Sequence, residues 1–127
     1  MKYLKMFNES TNEDEFRDFC DYCLACLIDN GYHQFVEDFG TTYKIFIERR
    51  VISNGFPVIK KFEWNDVKNE IIPFIELLSS RYKIDSIFMM RHGKGYVKQF
   101  TVDGILDDNI NENDVKDLNR VVIYVYK

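Results

Sequence analysis

The chain has 127 residues and a mass of 15.2 kDa, enough for one domain with a hydrophobic core and too few for two ordinary ones. Hydrophobic residues make up 46% and charged residues 30%, with 16% aromatic, which excludes a disordered tail and a membrane-embedded class. Seventeen basic against twenty-one acidic side chains give a net charge of −4, so the overall field repels polyphosphates and argues against a general nucleic-acid binder.

Residues 1–9 are expected to form an arm ahead of a single domain over 10–127. No apolar stretch reaches the length needed to cross a bilayer, and no apolar region of signal-peptide length follows Lys2 and Lys5. Cys20, Cys23 and Cys26 therefore read as reduced thiols in a cytoplasmic setting.

The first helix is predicted over 13–29. Asn12 is a good N-cap with Glu15 three residues on, Phe16, Phe19, Cys20, Cys23 and Leu27 recur at helical spacing, and Asn30-Gly31 supplies a left-handed stop. Residues 32–39 and 42–52, rich in aromatic and β-branched side chains, read as strands joined by a tight reversal at Gly40-Thr41. Tyr43, Ile45 and Ile47 share one face of the second strand. The other face, Lys44, Phe46, Glu48 and Arg50, is mostly polar, as in a sheet covered by helices on one side. Ser53 to Pro57 is expected to be a loop.

The second helix is predicted over 65–82 from Val67, Ile71, Phe74, Leu78 and Tyr82, with Lys68, Asn69, Glu76 and Ser80 turned outward. Pro73 falls inside it and is expected to kink it. Residues 84–91 and 96–102 flank Gly93-Lys94-Gly95 and form a second expected hairpin. The acidic segment 107–119 reads as a solvated loop with a helical turn near 113–118. The nearly continuous apolar run in 120–127 reads as a strand in the middle of the sheet. The expected fold class is α+β, a two-layer sandwich in the order α-β-β-α-β-β-β, with a mostly antiparallel sheet and helices on one face.

Few residue patterns point to chemistry. The Cys-x-x-Cys-x-x-Cys spacing can hold a metal, but the nearest fourth ligand, His33, is separated by the helix stop and two of the cysteines share the apolar stripe, so they are assigned to core packing and no metal or cofactor is predicted. Asp107, Asp108, Glu112, Asp114 and Asp117 lack the positional pattern of a calcium loop. Arg91, His92, Lys94 and Lys98 gather positive charge around a glycine turn, with Arg81 and Lys83 as possible neighbours, and such a turn suits a phosphate or an acidic partner surface.

Ile87 to Gly93 is similar to the strand-then-Arg-His-Gly signature of the histidine phosphatase family, in which the His is phosphorylated and the Arg holds phosphate. Here the motif lies late in the chain, and the other histidine, His33, is upstream, which leaves a nucleophile without an acid–base partner. The alternative function is a phosphate- or nucleotide-binding module, or an enzyme, using Arg91-His92-Gly93-Lys94.

Met1 to Glu9, followed by Ser10, resembles the capsid-targeting sequences of internal head proteins of large tailed bacteriophages. Those begin Met-Lys, carry a Phe a few residues on, and end at a Glu after which the prohead protease cuts; this chain has Phe7 where the family often has Leu or Ile. The resemblance covers about ten residues. It implies a phage accessory protein, found in the infected host's cytoplasm or the virion interior, that binds a host or phage protein and blocks a host enzyme or defence system. The expected mode of action is non-catalytic binding through an exposed sheet face or the 91–98 hairpin.

Overall fold

The computed structural model describes residues 12–91 and 97–127, without the side chains of Asn12 and Val97. The arm 1–9 and the turn residues His92 and Lys94 lie outside the described residues, as does the capping role expected of the Asn12 side chain.

Helix α1 spans Asn12–Cys23 and continues into α2, Ala25–Asp29. The bonds from Leu24 N–H to the Cys20 carbonyl and from Ile28 N–H to the Leu24 carbonyl carry the helical path across the break, so the single predicted helix is interrupted only at buried Leu24. Gly31, at φ +89°, provides the expected left-handed exit.

Strands β1 (Tyr32–Asp38) and β2 (Thr42–Ser53) pair antiparallel, with Phe35 opposite Phe46 and Glu37 opposite Lys44. Residues 53–57 are not the expected loop. Ser53 ends β2, Phe56–Lys60 forms β3, and the two-residue turn between them is Asn54-Gly55, both at positive φ. Asn-Gly is the preferred sequence for such a hairpin turn, and Pro57 is tolerated because β3 is a short strand at the sheet margin.

Helix α3, Trp64–Arg81, buries Val67, Ile71, Phe74, Ile75 and Leu78. It runs as one helix through Pro73. Pro73 and Asn69 both lie on the exposed side of the helix, away from the core.

Strand β4 (Ile84–Arg91) pairs with β5 (Val97–Phe100) and with β6 (Leu118–Tyr126). The predicted strand end at residues 101–102 is instead the start of α4, Val102–Leu106, because the Thr101 hydroxyl accepts the Gly104 N–H at 3.0 Å and caps a helical turn. A 3₁₀ turn at Glu112–Asp114 precedes β6.

The strands make one antiparallel sheet in the order β1-β2-β6-β4-β5. Arg49 has Tyr32 on one side and Lys60 on the other, so β3 lies on the β6 side of β2. β6 is central, as expected, and α+β with helices on one face is the observed class; β3 and the short helices α2 and α4 are additions to the predicted order. Tyr43, Ile45 and Ile47 of β2, Ile87 and Met89 of β4, and Val121, Ile123 and Val125 of β6 join Phe16, Cys20, Leu24 and Leu27 and the apolar stripe of α3 in one core. Phe16 ties α1 to the sheet, stacking on Tyr43 at 4.4 Å and meeting Tyr82 edge-on at 5.0 Å.

Candidate functional site

The described members of the basic hairpin are turned toward the rest of the domain. Arg91 Nε donates to the Lys116 carbonyl at 3.2 Å, and Lys98 Nζ holds Asp114 at 2.8 Å. Lys98 lies opposite Met89, whose side chain is in the core, which puts Lys98 on the helix side of the sheet. The acidic segment is likewise engaged: Asp108 pairs with Lys68 at 3.1 Å and Asp117 with Lys61 at 3.6 Å, while the Asp117 N–H donates to Glu63 at 2.6 Å. Two stretches that look independent in sequence, a basic hairpin and an acidic loop, hold each other.

The three cysteines diverge. Cys20 is buried in the core, Cys23 is half-buried and Cys26 is exposed, and burial pushes the Cys20 thiol far above the ordinary thiol range. Among the described residues no three His, Cys, Asp or Glu side chains converge as a metal site. No helix among them is long and apolar enough to cross a membrane.

The face of the sheet away from the helices differs from the polar surface that the alternation in β2 predicts. Strand pairing aligns Phe35, Phe46, Val122 and Phe88 in a row across β1, β2, β6 and β4. Phe35 stacks on Phe46 at 4.7 Å, and Phe88 meets Tyr124 edge-on at 5.7 Å. Phe46 is only 5% exposed and Glu48 is 0% exposed, although among the described residues no helix packs on this face. Long cationic side chains provide the cover: Lys44 Nζ stands 4.7 Å from the Phe46 ring centroid and 5.2 Å from that of Tyr124, the Arg120 guanidinium stands 5.0 Å from Phe46, and that of Arg50 stands 5.5 Å from Phe35.

Glu48 anchors this layer. Its Oε1 accepts from Arg50 Nε at 3.1 Å and Nη2 at 2.8 Å, and its Oε2 accepts from Arg120 Nε at 2.7 Å and also pairs with Arg120 Nη2. One buried carboxylate thus orients two guanidinium groups over the aromatic row. A buried carboxylate without such partners would be far too costly. Between the Lys44 and Arg120 ends lies a hollow of about 300 Å³, floored by Phe46 and Val122 and walled by Phe88, Met90 and Tyr124. Sequence reasoning named Lys44, Phe46, Glu48 and Arg50 as one face but missed their union with Phe88, Arg120 and Tyr124. The alternation Arg120, Val122, Tyr124 was a usable signal, hidden by the apolar run it interrupts.

The fold and this face define an α+β sandwich whose aromatic and cationic sheet surface carries no helix among the described residues. Comparison with family models, curated proteins and solved structures gives no match, so the geometry carries the functional reading.

Proposed function

We propose that the protein acts by contact, binding a protein partner on the open face of its sheet. The observation that carries this reading is the row Phe35, Phe46, Val122 and Phe88 beneath Lys44, Arg50 and Arg120. Aromatic side chains and arginines dominate the cores of protein interfaces, and a face already ordered by stacking and ion pairing loses little side-chain freedom on association. The engagement of Arg91 and Lys98 within the domain favours this face over the 91–98 hairpin. The likeness of residues 1–10 to capsid-targeting sequences extends the proposal to a phage accessory protein packaged in the head, with a host enzyme or defence protein as its target. Mass spectrometry of virions tests that extension: a packaged chain beginning at Ser10 supports it, and absence from the particle refutes it.

A photo-crosslinking amino acid at Phe88, compared with one at exposed Leu77 on α3, tests the binding reading. A protein captured from position 88 alone is then purified and its binding remeasured. Phe88→Ala with Tyr124→Ala should weaken that binary complex at least tenfold. Unchanged affinity would refute the proposal.

A further inference from the structure

We infer that the occupant of the open face is an acidic peptide segment bearing an apolar side chain, an inference that rests on the binding reading above. Lys44 and Arg120 approach the same Phe46 ring, one from each end of the hollow, at 4.7 and 5.0 Å. Cations above an apolar floor match a ligand with carboxylates beside an aromatic or aliphatic group. The apolar group enters the hollow over Phe46 and Val122, beside the Phe88–Tyr124 pair, and the carboxylates meet the cations at the rim.

Charge on the face favours this ligand. Lys44, Arg50 and Arg120 stand against buried Glu48 and against Glu37 at the β1 margin. Glu48 satisfies only one unit of the positive charge on its two arginines. Lys44 makes cation–π contacts with Phe39, Phe46 and Tyr124, and among the described residues it has no ion-pair partner. The surplus is therefore local, on a molecule of net charge −4.

A short acidic cluster gains from that surplus without extending beyond it. A nucleic-acid strand, charged at every nucleotide, would extend beyond the three cations, and its longer-range repulsion from a chain of net charge −4 would weaken binding. Both guanidinium groups already take carboxylate oxygens as partners, Arg50 on Glu48 Oε1 and Arg120 on Glu48 Oε2.

The test uses the full ¹⁵N-labelled chain titrated with three probes: the capped peptide Asp-Glu-Phe-Asp-Glu, its neutral counterpart Asn-Gln-Phe-Asn-Gln, and an oligodeoxythymidylate of about 12 nucleotides. The acidic peptide should give saturable amide shifts centred on Lys44, Phe88, Val122 and Tyr124, with a dissociation constant below about 1 mM. The neutral peptide should bind at least tenfold more weakly. Lys44→Gln should reduce acidic-peptide affinity several-fold, and Lys44→Glu should abolish the shifts while leaving the rest of the spectrum folded. Equal binding of the two peptides, tighter binding of the oligonucleotide, or no saturation by the acidic peptide would each overturn the inference. A partner that still depends on Phe88 while the acidic peptide fails would refute only the ligand chemistry. Loss of that dependence would refute the binding reading itself.

Discussion

Replacing Glu48 with Gln removes one buried charge while keeping the side chain's shape, and so isolates the electrostatic role of the carboxylate. In the native protein both its oxygens accept from guanidinium groups, at 2.8 Å from Arg50 Nη2 and 2.7 Å from Arg120 Nε. Breaking a fully buried ion pair by removing one partner costs roughly 3–5 kcal/mol. Here the cost is smaller, because Arg50 and Arg120 keep 35% and 29% of their side-chain surface in water. The expected destabilisation is about 2 kcal/mol, read from urea unfolding at unchanged slope and equivalent to a fall of about 7 °C in Tm for a domain of this size.

A double-mutant cycle with Arg120→Met should give a coupling energy of about 1 kcal/mol or more. The triple variant Glu48→Leu, Arg50→Met, Arg120→Met should come close to native stability, since apolar groups can replace a buried ion network at little cost. It should also lose acidic-peptide binding. A Glu48→Gln change below about 0.5 kcal/mol, or strict additivity in the cycle, would refute the view that this carboxylate organises the cationic layer.

Phe16→Ala, which removes the ring stacked on Tyr43, should cost about 3–5 kcal/mol in the same unfolding assay, and a cost under 1 kcal/mol would mean that α1 does not depend on this contact. Iodoacetamide followed by peptide mapping should modify Cys26 first and Cys23 more slowly, with Cys20 labelled only at the rate of unfolding; rapid labelling of Cys20 in the folded protein would contradict its burial. Hydrogen bonds from Lys127 and from the Gly40 N–H hold the Asp38 carboxyl below its ordinary value of 3.8. The carboxylate's contribution to stability is therefore complete above that value and lost as pH falls through the lower folded value. The stability difference between wild type and Asp38→Asn should vanish toward pH 2, and a difference that grows on acidification would reverse the assigned sign. Lys68→Ala should cost less than about 1 kcal/mol, because its pair with Asp108 is solvent-exposed.

Local chemistry made several elements legible. Asn30-Gly31 ends the first helical path, the apolar spacing from Val67 to Leu78 marks α3, and the run through Val121–Val125 marks the central strand. Asn54-Gly55 carried an equally strong hairpin signal within the segment read as a loop; the marginal position of β3 shows how Pro57 is accommodated in a strand. Thr101 could have been read as a cap with Gly104 three residues on, against the β-propensity of the preceding residues.

Sequence periodicity alone determined which side chains of β2 face the helices, because alternation along an extended chain is a local property. It could not determine which strands lie side by side, since register is set by pairing between segments distant in sequence. Phe46 reaches Phe88 only through Val122, and Glu48 meets Arg120 across 72 positions of chain. The aromatic row, the two guanidinium groups on one carboxylate and the hollow between them therefore exist only after β6 has inserted between β2 and β4.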